Sequence, residues 1–382
     1  MLKCQETLNS IVANGDAPFV VAMVADAHGV RWSGAAGDAA PDRSASEDTI
    51  FRIFSMTKAI ASTAAMMLVD RGKLGLDTPV EDILPDFGKI KVLEGFDGDC
   101  PRLREPRIRC TIRNLLTHTS GFVYPVVNAD VLKFIGVTQT PDILSGRMAS
   151  LFYPLIFDPG SNWAYGISID WLGRAIEAID GRRIDQFCEE EIFAPLLMKN
   201  TIFEVSSDRQ IALASVYARL EGGSFTEISF SPTASPEFYP MGGALYSTAP
   251  DYMRFLRLFL NDGALDGERL LTSSSVALMR ENQIGPMSVS PMTLVIPPVG
   301  LTFELQPGIR KTHTMGFMRT EGDAHGMRNR GSLGWCGLLN THFWIDPKAN
   351  LAALFMTQLA PLGDPRVMSG FDEFERAVYA HG

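Results

Sequence analysis

Ser55 and Lys58 stand three residues apart in the run Ser55-Met-Thr-Lys58. On a helix that spacing puts both side chains on one face. A serine hydroxyl beside an amine suits nucleophilic catalysis: the amine takes the proton and the oxygen attacks a carbonyl. Spacing alone is weak, because 26 Ser and 9 Lys in 382 residues yield about 0.6 such pairs by chance. Context adds to it. The pair follows the strand-like run Phe51-Arg-Ile-Phe54 and opens an Ala- and Met-rich run, 57–71, that holds no Pro or Gly and stops at Gly72, as a C′ glycine stops a helix. That helix is apolar on nearly all sides, so it is expected to be buried. A buried lysine is anomalous, and burial lowers its pKa toward the range of a working base. Backbone N–H groups at the helix start would also favour an oxyanion. The plain alternative is that Ser55 caps the helix and Lys58 snorkels to water.

Two further segments carry chemistry. Asp158-Pro-Gly-Ser-Asn-Trp-Ala-Tyr165 sets a Tyr after a Pro-Gly turn and just before a helical pattern. A Tyr beside cations can act as a general base, although loop tyrosines are commonly only half-buried packing. Gly334-Trp-Cys-Gly337-Leu338 precedes an apolar strand pattern, where Gly permits close backbone approach to a ligand. Other common signatures are missing: there is no Gly-x-Ser-x-Gly, His-Glu-x-x-His, Walker A or Gly-x-Gly-x-x-Gly. The five Cys form no Cys-x-x-Cys pair, which argues against a zinc site or a disulfide framework. Cys336 with His313, His325 or His342 would make a cysteine hydrolase only if something depressed the thiol pKa, and no helix N-terminus adjoins it. It reads as a small buried thiol, and His118 as a loop or capping residue.

The elements that must position these residues follow from periodicity. A helix over 5–14 precedes a β-hairpin over 19–25 and 30–34. The middle of the chain, about 74–230, carries helical patterns such as 171–179 and 184–193. The last third has helices over 251–260, 273–280 and 371–380, and strands over 301–305, 337–345 and 351–357. Strands at both ends and helices between predict an α+β fold. Its sheet domain would comprise 1–73 plus 231–382, its mainly helical inserted domain 74–230, with the site at their interface. A chain of this length can bury a sizeable core without a metal or disulfide staple. Its net charge of −10, with no basic cluster, argues against nucleic-acid binding. No run approaches 18 apolar residues, so no membrane span is expected. The N-terminal residues lack a secretory h-region, and with the unpaired cysteines this predicts a cytoplasmic protein. No sequence feature calls for a cofactor or metal, and none sets an oligomeric state.

The three segments, in this order, resemble those of serine hydrolases with the β-lactamase and penicillin-binding fold, whose signature includes Ser-x-x-Lys. Leu115-Leu-Thr-His-Thr-Ser-Gly121, Gly242-Gly-Ala-Leu-Tyr-Ser-Thr248 and Phe343-Trp-Ile-Asp-Pro347 also look like that family's segments, so the similarity spans about 16–380. The resemblance implies an antiparallel sheet flanked by helices. Within the family the chain is most similar to the family VIII carboxylesterases. Ile167 stands where β-lactamases carry the Asn of Tyr-x-Asn. Trp335-Cys-Gly337 stands where they carry Lys-Thr-Gly. An apolar Trp suits an uncharged ester. The implied reaction is hydrolysis of a short-chain carboxylic ester through an acyl-enzyme on Ser55. Tyr165 and Lys58 serve as the base pair, and the backbone N–H groups of Ser55 and Leu338 form the oxyanion hole. Phe122, Tyr124, Trp163, Ile167, Trp335 and Gly337 are candidate substrate contacts, and the Pro- and Met-rich segment 284–292 a candidate rim. Alternatives on the same scaffold are a β-lactamase or amidase, an acyltransferase, and a non-catalytic binding protein.

Overall fold

The computed structural model describes residues 2–230, 236–295, 302 and 304–380. Its main sheet has eight antiparallel strands: β1 (Phe19–Ala25), β2 (Val30–Ala40), β3 (Arg43–Ser44), β4 (Lys311–His313), β5 (Met318–Thr320), β6 (Leu333–Gly337), β7 (Thr341–Asp346) and β8 (Leu351–Met356). Their spatial order is β4-β5-β6-β7-β8-β1-β2-β3, so both ends of the chain build one sheet. β1 is apolar at every position because both sheet faces are covered there. Helices α1 (Leu2–Ala13) and α5 (Pro365–Tyr379) pack together on one face. On the other lie α2 (Thr57–Asp70) and α4 (Ala249–Leu260), with α3 (Ser168–Asp180) packed against α2. The expected N-terminal hairpin and the helix ending at Gly72, which takes φ +67°, are both present.

Several expectations need correction. Residues 337–345 are not one strand. Leu338–Asn340 turn the chain between β6 and β7. Two of those turn residues are apolar, which hid the turn. Asn340 alone signals it: it adopts φ 61° and its amide donates to the carbonyls of Leu359 and Pro361. Trp335–Gly337 therefore lie inside a strand rather than ahead of one. Thr302, Glu304 and Leu305 belong to no strand, and the rest of the expected strand 301–305 lies outside the described residues. The middle region holds more than helices. Two hairpins, Val92–Asp97 with Cys100–Arg104 and Val216–Arg219 with Phe225–Ile228, interrupt it. The helix at Ile184–Cys188 continues as a π-helical turn over Glu189–Phe193. The closing helix begins six residues early because Asp364 caps it, accepting from the N–H groups of Arg366 and Val367. Among the described residues no helix is long and apolar enough to cross a membrane.

Candidate active site

Ser55 sits in a single 3₁₀ turn, Phe54–Met56, that leads directly into α2. Phe54 is held at φ 43°, a conformation that costs an aromatic residue and persists only when surrounding structure enforces it. The segment following Gly242 supplies that enforcement. Phe51 and Arg52 pair with Ser247 and Tyr246, the Ile53 N–H donates to Leu245 O at 3.1 Å, and the Leu245 N–H donates to Thr57 Oγ1 at 3.2 Å. From α4, the Tyr252 hydroxyl donates to Met56 O at 2.8 Å.

Lys58 lies one helical turn on and is only 3% exposed. It does not snorkel. Its Nζ meets Ser55 Oγ at 3.2 Å, the Tyr124 hydroxyl at 3.0 Å and Gly242 O at 2.7 Å. Burial lowers its pKa to about 7, against the opposing pull of Asp170.

Tyr165 arrives from the loop before α3. Its hydroxyl donates to Ser55 Oγ at 2.5 Å, and its ring lies 4.8 Å below Lys58 Nζ. Burial pushes the phenol well above its ordinary pKa, although the Ser55 and Trp335 contacts pull the other way. The segment 115–124 holds this loop in place. Ala164 N–H donates to His118 O, Tyr124 N–H to Tyr165 O, and the Ser120 and Ser168 hydroxyls share a 2.7 Å hydrogen bond. Gly166 is required here because a Cβ would stand 2.4 Å from Phe122 O.

β6 closes the site. Trp335 donates its indole N–H to the Tyr165 hydroxyl at 3.3 Å. A Cβ on Gly337 would stand 2.4 Å from Ile53 O, so glycine lets the strand end abut the turn that carries Ser55. Leu338 follows at once and packs with Phe54 and Phe230. Cys336 alternates to the opposite face with its cross-strand partner His342, which stacks on Phe371. Burial pushes the Cys336 thiol up to about 12.

The structure thus brings Ser55, Lys58, Tyr165, Trp335 and Gly337 together. It does not bring in every predicted contact. Phe122 is fully buried with its ring edge-on to Phe87, and Ile167 is fully buried where α3 begins. Both are core residues and neither is free to meet a substrate. Trp163 packs behind Tyr165 against His118 and His313. Tyr124 holds Lys58 rather than lining an apolar wall. Of the segment 284–292, Val289–Met292 share a small cavity with Trp335 and Cys336. A larger cavity of about 690 Å³ shares Phe54 and Gly243 with the site and is walled by Arg52, Phe203, Tyr239 and Tyr246. Sequence reasoning missed Asp170 and the role of Gly242. The signal for Asp170 was a carboxylate five residues after Tyr165, in the first turn of α3.

A serine held between a lysine and a tyrosine under a strand edge is the arrangement that the sequence resemblance implied. The Beta-lactamase family model matches residues 5–373. The chain belongs to the beta-lactamase family. Among this family protein's relatives are an uncharacterised protein of Mycobacterium tuberculosis, 33% identical over 82% of this chain and 78% of the other, and monacolin J acid methylbutanoyltransferase of Aspergillus terreus, 31% identical over 87% and 82%. Lovastatin esterase of Penicillium rubens is 28% identical over 87% and 85%. Among solved structures, the unliganded simvastatin synthase of Aspergillus terreus superposes with a TM-score of 0.86 at 27% identity, covering 100% of this chain and 98% of that one. The beta-lactamase-family fold is therefore shared over the whole chain, and the named relatives include a methylbutanoyltransferase and an esterase.

Proposed function

We propose that the protein is a serine carboxylesterase that works through an acyl-enzyme on Ser55. The observation that carries this reading is the sharing of Ser55 Oγ between the Tyr165 hydroxyl at 2.5 Å and Lys58 Nζ at 3.2 Å. Gly242 O can only accept, so Lys58 must donate to it. A neutral Lys58 that donates to Gly242 O and Tyr124 has its lone pair left for the Ser55 proton. Burial lowers the Lys58 pKa to about 7 and raises that of Tyr165, so near neutral pH the lysine is the readier of the two to stand without its proton. Lys58 is accordingly the base and Tyr165 the acid.

In acylation, Ser55 Oγ bonds to the ester carbonyl carbon and its proton passes to Lys58. The oxyanion is met by the Ser55 and Leu338 N–H groups. The C–O bond to the alcohol breaks, Tyr165 protonates the leaving oxygen, and the proton on Lys58 restores Tyr165. Water then repeats the sequence on the acyl-enzyme. Ile167 in place of an Asn, and neutral Trp335 in place of a Lys, favour an uncharged ester over a β-lactam.

Acyl transfer to an alcohol is the second reading. It is favoured by the match to a methylbutanoyltransferase over 87% of this chain. The two differ only in whether water or an alcohol enters after acylation. The test is hydrolysis of p-nitrophenyl acetate and butyrate by wild type, Ser55→Ala and Cys336→Ala, with a chromogenic cephalosporin for comparison. Wild type and Cys336→Ala should turn over the esters, and Ser55→Ala should lose ~10⁴-fold or more. Full activity in Ser55→Ala overturns the proposal. Added alcohol that diverts the acyl group from free acid to a new ester decides for the acyltransferase.

A further inference from the structure

Asp170 lies in the first turn of α3, is 1% exposed, and touches neither Ser55 nor Tyr165 by a hydrogen bond. Its Oδ1 accepts the Gly242 N–H at 2.8 Å. The carbonyl of the same glycine accepts Lys58 Nζ at 2.7 Å. Only glycine permits this junction: a Cβ there would stand 2.7 Å from the Tyr124 hydroxyl and 2.8 and 3.0 Å from the two Asp170 oxygens. One residue thus links a buried carboxylate to the lysine at the nucleophile.

A purely structural pin for Gly242 would need one acceptor, and an Asn would supply it without burying charge. Asp170 Oδ2 has no hydrogen-bond partner among the described residues. A buried carboxylate with an orphaned oxygen is costly unless an opposite charge faces it. Lys58 is that charge. The other titratable groups around the pair are Tyr124, Tyr153, Tyr165, Cys336 and His118, and burial keeps each of them neutral.

We propose that Asp170 is a positioning residue for Lys58, its carboxylate fixed through Gly242 and serving as the counter-charge that governs when the lysine holds its proton. The proposal rests on Lys58 being the base of the reaction. Desolvation alone would drive the amine to a very weak base. Asp170 opposes that and leaves Lys58 at about 7, itself rising to about 6, so the two titrate as a coupled pair in two macroscopic steps.

The test compares wild type with Asp170→Asn and Asp170→Ser, two neutral side chains that can still accept from Gly242. Two readouts are used: the pH profile of kcat/KM on p-nitrophenyl butyrate, and the titration of ¹³Cε-labelled lysine by NMR. Removing the carboxylate should move the acidic limb, and the Lys58 resonance with it, down by about one pH unit or more. A folded neutral variant that loses rate while its limb and its Lys58 resonance stay in place overturns the proposal and leaves a structural pin. If neither variant folds, the wild-type Lys58 resonance must titrate in two steps, and a single step overturns it. If wild type hydrolyses no ester, the esterase reading fails, while the carboxylate–amine pairing is still decided by the NMR shift.

Discussion

The indole N–H of Trp335 donates to the Tyr165 hydroxyl at 3.3 Å, the same hydroxyl that donates to Ser55 at 2.5 Å. The third motif thus acts on the proton carrier with a neutral donor, where a lysine would act with a charge. The sequence suggested only an apolar surface for an ester at this position. The structure adds a polar contact, and under the proposed mechanism a donor on the phenol oxygen stabilises the phenolate formed when Tyr165 gives up its proton.

Trp335→Phe keeps an aromatic ring beside Tyr165, where the indole lies 5.0 Å away, and removes the donor. A neutral hydrogen bond contributes about 1 kcal/mol, so kcat on p-nitrophenyl butyrate should fall about fivefold with the fold intact. A loss of three orders of magnitude would mean that Trp335 does more than tune the phenol.

The pH profile reports the base. Lys58 has its pKa lowered to about 7 by burial and is useful only unprotonated. kcat/KM should therefore rise tenfold per unit from low pH and level off above about 7. A buried imidazole cannot mimic this limb: desolvation holds His118 well below its ordinary value and His313 at about 4. An acidic limb near 4 would point away from Lys58.

The two tyrosines on Lys58 separate by role. Tyr165→Phe removes the proton carrier at Ser55 and should cost about 10²–10⁴ in kcat. Tyr124→Phe removes one partner of the lysine, 3.0 Å from Nζ, and leaves Ser55 untouched. Its cost should be about tenfold or less. Single-turnover kinetics on both variants check the order, and equal losses would mean that the two phenols exchange protons as a unit.

Much of the site was legible because its parts announce themselves locally. Ser55 and Lys58 share a helix face, and the proline–glycine turn marks the approach to Tyr165. Gly72, Asp26–Gly29 and Asp346–Asn350 mark element ends with ordinary turn residues. What stayed hidden depends on contacts between distant segments. No local pattern says that Asp170 and Gly242, 72 residues apart, meet beneath Lys58. Nor does one say that Phe122 and Ile167 turn into the core. The β6–β7 turn was lost because Leu338 and Leu339 continue the apolar run of the strands on either side.

The opposite face of the sheet tests whether stability and activity are separable. There Arg328 and Glu375, 2% and 0% exposed, form a bidentate pair with both contacts at 2.7 Å, and the guanidinium lies 4.9 Å over Trp344. Arg328→Met leaves the Glu375 carboxylate buried and unpaired, which costs about 3–5 kcal/mol. Removing both charges, as in Arg328→Met with Glu375→Leu, should cost much less. Trp335 and Tyr165 lie across the sheet, so kcat per folded molecule should not change in either variant. Urea denaturation followed by near-ultraviolet circular dichroism, with active-site titration of the folded fraction, checks both halves. If the single variant is as stable as wild type, the pair is not the clamp between α5 and the loop joining β5 to β6 that its burial indicates.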